Sequence, residues 1–465
     1  MELINKRIVV VGLGITGEAV ARFLIRRGAV ITVTDTASGT QVEKTAEKLI
    51  AMGVKVKLGG HYPELFRGTD MIIVSPGVPH TLEHLKQARK RGIPVMGEIE
   101  LACRFISEPI IAITGTNGKT TTTTLVSEML KCSGINTFVG GNIGNPLIDY
   151  VDTNQKAEWL VVELSSFQLD TIKEFRPKVA VLLNITDDHM DRYPDFDAYR
   201  DSKTRIFKNQ TSDDFAVLNI SDSVIGQISH GVKARKLLVG QKDVFSDKPV
   251  NAAVIEKTTG LSNYRISVYM NGSQRWEPQF SGFKPEGIHN LENASASIMA
   301  ALVAGGTKTG IELALANFKG LSHRLEHIAN FNGVAFINDS KATNTDAVAK
   351  AMETFANPQI VIMGGRDKDS DFENLSKIVK KHVKRLILIG EATEKIHHIM
   401  GDIVVTETAA TMSDAVNKAY KASSPGDLVL LAPGCASFDM YENYKQRGEA
   451  FRQAVDCLIS GEHHG

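Results

Sequence analysis

Short runs of β-branched and apolar residues, each stopping at a loop before a longer stretch with helical spacing, recur along the whole chain. The runs are Ile8 to Val11, Val30 to Val33, Met71 to Val74, Ile110 to Ile113, Leu160 to Glu163, Val179 to Asn184, Ile360 to Met363, Leu386 to Ile389 and Leu428 to Leu431. Strands alternating with helices bury both faces of a parallel sheet, so the expected class is α/β. Ligands of such open sheets gather where strands end in loops. The loops after these runs are therefore expected to carry the chemistry. At 465 residues the chain is too long for one hydrophobic core. Glycine-rich strand-end loops near residues 12, 115 and 364 each open a fresh series, which predicts three domains at 1–98, 99–320 and 321–465. Between about Lys233 and Gly287 the pattern shifts to short strands with the hairpin signal Asn271-Gly272, a β-rich insertion in the central block.

Charge narrows the partners. Fifty-three basic residues balance fifty-three acidic ones, which leaves no net positive field to gather a nucleic acid or an anionic membrane. Small-molecule partners are expected instead, and no run reaches the ~18 apolar residues of a membrane span. The start reads as a first strand and not as a signal peptide, because Ile8 to Val11 ends in glycines. Four scattered cysteines suit reduced thiols, and the expected compartment is the cytoplasm.

Two glycine loops point to phosphate. Gly12-Leu13-Gly14-Ile15-Thr16-Gly17 follows a strand, and Asp35 ends the next one. Glycines let the backbone approach a pyrophosphate, the following helix N-terminus meets its charge, and Asp35 would accept from a sugar hydroxyl. Read alone, this loop fits a nicotinamide enzyme or any other binder of a nucleotide diphosphate. Gly115-Thr116-Asn117-Gly118-Lys119-Thr120-Thr121, also between strand and helix, can hold β- and γ-phosphates through its amides and Lys119, while the Thr120 hydroxyl reaches Mg²⁺. It departs from the usual phosphate loop by having Ile113 where glycine is expected.

Carboxylates and further loops follow. Mg²⁺ takes one or two carboxylates beside phosphate and water, and Glu163 at a strand end fits that need. His189, in Asp187-Asp188-His189, could ligate a second cation. Lys203 alone reads as a solvated helix charge. Asn338 to Asn344, Gly364 to Lys368 and Pro433 to Ser437 supply lysines, hydroxyls and helix N-terminal amides for an anion. The bland alternative at the first of these is a well-capped helix, since Thr343 or Asn344 can fill the N-cap.

Together these residues resemble the Mur ligase family from the first strand to the last helix. Glu163-Leu164-Ser165-Ser166-Phe167-Gln168-Leu169 and Asp188-His189-Met190-Asp191-Arg192 are similar to its D-glutamate-adding members. The resemblance implies Rossmann-like first and third domains around a central ATP-binding sheet. It gives Gly14, Ile15, Thr16, Asp35, Thr36, Ser75, Pro76, Gly77 and Asn142 to a UDP-linked substrate, with Ala37 where family members can carry arginine. It gives Gly115 to Thr121, Asn290, Asn293, Arg324, Asp339 and Lys341 to ATP. Thr343, Lys368, Ser437 and Tyr444 would hold D-glutamate. Two Mg²⁺ ions would rest on Thr120, Glu163, His189 and Lys203, the last as a carbamate.

The implied reaction is ATP-dependent addition of D-glutamate to UDP-N-acetylmuramoyl-L-alanine through an acyl phosphate, in peptidoglycan precursor synthesis, by a monomer. Lys119, Glu163, His189 and Lys203 would be the catalytic set, and the last domain would close over the central one about Gly320. Three rivals stand beside it: a sibling ligase for another amino acid, an NAD-dependent oxidoreductase resting on the Gly12 loop, and a nucleotide-binding regulator without catalysis.

Overall fold

The computed structural model describes all residues except 154, 155, 191, 247, 248, 259–263, 273, 280, 281, 368, 369 and 462–465. The first sheet contains β1 (Arg7–Val11), β2 (Val30–Thr34), β3 (Lys55–Lys57), β4 (Met71–Val74) and β5 (Val95–Gly97) in the order β3-β2-β1-β4-β5. Every pair is parallel, with Val10 opposite Val33 and Ile73. The chain runs outward from β1 in one direction and then from β4 in the other. The loops after these two strands therefore diverge, opening a crevice at the sheet's carboxyl edge.

The second sheet repeats that logic on a larger scale. Its strands are β6 (Ile110–Thr114), β7 (Thr137–Gly141), β8 (Trp159–Glu163), β9 (Val179–Leu182), β10 (Phe215–Asn219), β11 (Arg235–Gln241), β12 (Ala252–Lys257), β13 (Tyr264–Met270) and β14 (Gln274–Trp276). The order β14-β13-β12-β11-β10-β9-β6-β8-β7 puts β6 between β8 and β9. Pairing is parallel up to β12 and antiparallel from β12 to β14, which is the expected β-rich insertion. Asn271 and Gly272 turn its hairpin with φ of 55° and 77°, the left-handed region that asparagine and glycine tolerate best.

The helix Lys119–Cys132 forms against its own composition, since threonines 120 to 124 are poor helix formers. Burial of Leu125, Val126, Met129 and Leu130 decides the outcome. At ~1.5–3 kcal/mol per buried aliphatic side chain this outweighs a few tenths per threonine.

The third sheet holds β15 (Glu326–Phe331), β16 (Val334–Asn338), β17 (Gln359–Gly364), β18 (Val383–Ile389), β19 (Val405–Thr408) and β20 (Leu428–Leu431), ordered β15-β16-β20-β17-β18-β19. Only β15 runs antiparallel. Because β20 lies between β16 and β17, the loops after these three strands leave the sheet side by side.

Each sheet falls inside one of the three expected blocks, yet the chain condenses into two compact units. One comprises Met1–Ile185, Asp197–Gln279 and Asn293–Leu315; the other comprises Thr186–Phe196, Phe280–Glu292 and Ala316–Gly465. The first two sheets share a unit because the helix joining them, Glu98–Cys103, is fastened by buried carboxylates. Glu98 Oε1 accepts from the Ile148 amide at 2.6 Å. Glu100 accepts from the amides of Lys173, Glu174 and Phe175 at 2.8–3.1 Å and from Arg104 at 3.1 Å. Arg22 and Arg26 add ion pairs to Asp149 and Asp152.

Candidate active site

At the crevice of the first sheet, Gly12 takes φ +97° and Ser75 Oγ donates to its carbonyl at 3.0 Å, tying the two diverging loops together. A Cβ on Gly17 would meet the Gly12 carbonyl oxygen at 1.9 Å, so the helix Ile15–Arg26 packs this closely only with glycine there. No side chain caps that helix, and nothing lies within 4 Å of a Cβ built on Gly14. Its first-turn amides thus stay open to an anion, beside an Ile15 side chain that is 77% exposed. Asp35 accepts from the Leu13 amide at 2.5 Å and from the Ala37 amide at 2.7 Å. It orders both loops before any ligand arrives, and its remaining lone pairs can still take a sugar hydroxyl.

The second cradle follows β6. Gly115 and Gly118 have φ of 158° and +83°, and Gly118 is the left-handed residue from which the helix Lys119–Cys132 starts. Asn184, just beyond β9, clamps the loop: its carbonyl accepts from the Thr116 amide at 2.9 Å and its Oδ1 from the Asn117 amide at 2.7 Å. Lys119 Nζ folds back onto the carbonyls of Gly115 and Thr116, each at 2.7 Å. A phosphate would replace these neutral acceptors with charged ones, a stronger bond for the same ammonium. Asn293 lies against Gly118, where a Cβ would meet its Oδ1 at 2.3 Å.

Beside this loop, at the end of β8, Glu163 is 2% exposed. Its Oε1 accepts from Asn142 Nδ2 at 2.8 Å, and its Oε2 is buried without a hydrogen-bond partner. A buried oxygen left open next to a phosphate cradle is the arrangement a hard cation satisfies. Among the described residues no group of three or more His, Cys, Asp or Glu could cage a metal. Such an ion would draw its other ligands from phosphate, water and the Thr120 hydroxyl.

Lys203 corrects the reading of a solvated charge. It is 1% exposed, donates to the Gly115 carbonyl at 2.9 Å and sits 4.6 Å from the centre of the Tyr199 ring, whose hydroxyl meets Thr116 Oγ1 at 3.1 Å. The fold brings it to the phosphate loop from more than eighty residues away, which spacing alone does not reveal. A carbonyl and an aromatic face both suit a cation. Carbamylation would reverse the sign of the group and end its cation–π contact with Tyr199, while one Nζ–H could still donate to the Gly115 carbonyl. His189, at φ 60°, belongs to the segment Thr186–Phe196 of the other unit, and Asp191 lies outside the described residues.

That other unit gathers the three carboxy-terminal loops. Asp339 is buried, its pKa pushed up to about 7 by desolvation against the opposing pull of Arg324 and the Leu325 amide. His323 and Leu325, on either side of Arg324, both take positive φ. Lys341 Nζ lies 4.1 Å from the centre of the Tyr444 ring. Thr343 is half-buried, and Asn344, not Thr343, caps the helix Thr345–Thr354 by accepting from the Ala347 amide. Asn344 also donates to Asp188 at 3.1 Å. Ser437 is buried beside the bridge that pairs Arg366 with Ala436. Asn290 donates to the Glu286 carbonyl at 2.6 Å. Lys368 lies outside the described residues.

Sequence reasoning missed Arg447. It is 2% exposed and donates to Ser340 Oγ, the Ser340 carbonyl and the Cys435 carbonyl, while Nη1 is buried without a partner. Desolvation lowers its basicity to about 10. It bolts together two of the three loops, and nothing in the local sequence around it marks an arginine that turns inward.

Profiles of known families match the chain in three consecutive stretches: the Mur ligase MurD-like N-terminal domain over residues 6–97, the Mur ligase middle domain over 113–301, and the Mur ligase glutamate ligase domain over 323–435. A UDP-N-acetylmuramoylalanine–D-glutamate ligase of Desulfosudis oleivorans is 46% identical over 465 residues, covering 100% of this chain and 99% of that protein. One of Geotalea daltonii is 45% identical over 462 residues, covering 99% and 100%. Among solved structures, MurF ligase from Thermotoga maritima in complex with ADP superposes with a TM-score of 0.62 at 16% identity over 100% of both chains. UDP-N-acetylmuramate-alanine ligase from the same organism gives 0.61 at 19%, over 98% of this chain and 99% of that one. At such identities the structures speak for the fold alone.

Proposed function

The chain belongs to the Mur ligase family, and on that premise we propose that it is an ATP-dependent ligase of peptidoglycan precursor synthesis, joining D-glutamate to UDP-N-acetylmuramoyl-L-alanine. The observation that carries this reading is the full-length similarity to D-glutamate ligases, in a molecule that forms both glycine cradles. An oxidoreductase needs only the first cradle and leaves Lys119 and Glu163 without a task. We take residues 1–98 as the UDP-binding domain, 99–320 as the ATP-binding domain and 321–465 as the amino-acid domain.

A carboxylate resists attack by an amine because it is already anionic, so it must first be activated. In our reading the γ-phosphoryl group of ATP passes to the L-alanyl carboxylate. The D-glutamate amine then attacks the acyl phosphate, the C–N bond forms, the C–O bond to phosphate breaks and a proton leaves the nitrogen. The Gly115 to Thr121 loop orients the triphosphate and Lys119 neutralises charge on it. Asn290, Asn293, Arg324, Asp339 and Lys341 serve the rest of ATP. Gly14, Ile15, Thr16, Asp35, Thr36, Ser75, Pro76, Gly77 and Asn142 hold the UDP-linked substrate, and Thr343, Lys368, Ser437 and Tyr444 hold D-glutamate.

We assign Mg²⁺ to Glu163 Oε2, which is buried without a partner among the described residues, and to the Thr120 hydroxyl, and in the same reading we give a second ion to His189 and to Lys203 as a carbamate. Bound there, it would screen the charge shared by the γ-phosphate and the reacting carboxylate. Phosphate release measured with ATP, UDP-N-acetylmuramoyl-L-alanine and a panel of amino acids tests the assignment. D-glutamate alone should respond; an equal response to another amino acid would make the chain a sibling ligase.

A further inference from the structure

Glu98 has no part in the chemistry above, yet it lines a cavity under the Ser75-Pro76 loop. It is the first residue of the helix that leaves β5, its side chain is 2% exposed, and it lines a small cavity with Ser75, Pro76, His80, Gln168 and Thr171. Its two oxygens face different surroundings. Oε1 accepts from the Ile148 amide at 2.6 Å, at the start of the helix Leu147–Asp152, which follows the Gly140 to Gly144 loop bearing Asn142. Asn142 in turn donates to Glu163. Oε2 is buried and has no hydrogen-bond partner among the described residues. One carboxyl thus touches the mounting of the metal-side asparagine and the cavity under the Ser75-Pro76 loop.

We propose that Glu98 is a binding and positioning residue for the nucleotide-sugar substrate: Oε1 fixes the Ile148 amide and with it the Asn142 loop, while Oε2, carrying a proton, donates a hydrogen bond across the cavity to an oxygen of the bound substrate. The inference rests on the ligase reading.

A donor is the sensible state for Oε2. The substrate is rich in oxygen acceptors and anionic overall, so a second negative charge beside it would repel it. Burial pushes the Glu98 pKa up to about 7, and Asp149 adds to that against the amides of Ile148 and Leu147. The other charged groups around it are largely matched. Asp149 faces Arg22 and Arg26 from the helix Ile15–Arg26, and His80 faces Asp170 at 3.7 Å. On its own helix Glu100 is held by three amides and Arg104, and Cys103 is a thiol pushed up to about 12. Glu98 is thus a buried carboxyl of this cluster that changes charge near neutrality, across the cavity from the His80–Asp170 pair.

The test compares the wild type with Glu98→Gln and Glu98→Ala, by thermal unfolding and by the KM for UDP-N-acetylmuramoyl-L-alanine between pH 6 and pH 9 at saturating ATP and D-glutamate. Glutamine keeps the acceptor for Ile148 and puts a permanent donor where the proton sits. The ratio of the Glu98→Gln KM to the wild-type KM should be near one below pH 6.5 and fall about tenfold by pH 8.5, as the wild type ionises and loses its donor. A ratio cancels titrations elsewhere in the protein. Glu98→Ala should raise this KM below pH 6.5, where the wild type carries its donor, and leave the KM for ATP within about twofold. A ratio that stays constant with pH overturns the proposal, as does a Glu98→Ala variant that unfolds at lower temperature with its KM unchanged. Absence of D-glutamate-dependent turnover in the wild type would instead strike the ligase reading.

Discussion

Replacing Glu100 by alanine should weaken the first compact unit more than any other single charge deletion on its linker helix. The carboxylate is completely buried; Oε2 accepts from the amides of Lys173, Glu174 and Phe175 at 2.8, 3.1 and 3.1 Å, and Oε1 accepts from Arg104 at 3.1 Å. Truncation strands the buried Phe175 amide and most of Arg104, while the part-buried amides of Lys173 and Glu174 can turn to water. Breaking a buried charged pair from one side costs about 3–5 kcal/mol. Trp159 and Trp276, the two tryptophans, both lie in the second sheet, so intrinsic fluorescence reports this unit. With a urea slope of ~3 kcal/mol per M, the midpoint should fall by roughly 1 to 1.7 M. Glu174→Ala removes a 73% exposed partner of the same arginine and should move the midpoint by less than ~0.3 M. If Glu100→Ala unfolds within that margin of the wild type, the buried clamp is not what joins the two sheets.

Lys119→Ala should cut nucleotide-dependent phosphate release by about 100-fold or more, because the lysine works on charge that ATP brings, and should lower the urea midpoint only slightly, through loss of its bonds to the Gly115 and Thr116 carbonyls. Asn142→Ala removes the donor holding Glu163 Oε1, and the Mg²⁺ concentration for half-maximal turnover should rise by about tenfold. Asn344→Ala deletes the cap of the helix Thr345–Thr354 and should cost the carboxy-terminal unit ~1 kcal/mol in denaturant unfolding. Glu98→Gln should also alter stability with pH. The unfolded carboxyl loses its proton near 4.5 and the folded one near 7, so between these values the native state binds the extra proton and wild-type stability falls as pH rises, then levels off. The variant should therefore gain on the wild type from pH 5 to pH 8, by on the order of 3 kcal/mol, in fluorescence-monitored urea melts; parallel curves would count against a buried, protonated Glu98.

What the sequence disclosed and what it withheld divide along a physical line. The strand runs, the turn at Gly12, the loop at Gly115 and the hairpin at Asn271 are set by local backbone preference, and each forms where its residues predict. The proximity of the three carboxy-terminal loops follows from strand order, which the runs hint at but do not fix. Burial of charge is different, because it depends on partners far away in sequence. Lys203 looks like any lysine in Asp201-Ser202-Lys203 until the Gly115 carbonyl and Tyr199 close around it. Glu98, Glu100 and Arg447 are equally silent, since the amides and carbonyls that receive them carry no side-chain signature.

Those buried groups also explain why the first two sheets share one compact unit. A linker meant to swing keeps its polar groups in water, where rotation costs nothing in lost hydrogen bonds. The helix Glu98–Cys103 instead sinks two carboxylates into the neighbouring sheet's loops, and any rotation would strip Glu100 of four donors at once. The separation between the open amides after Gly14 and the Lys119 loop is therefore fixed before substrate arrives. On the proposed function, a nucleotide-linked substrate would have to match that span to bring its carboxylate beside the triphosphate, which makes the joint between the first two sheets a constraint on substrate length.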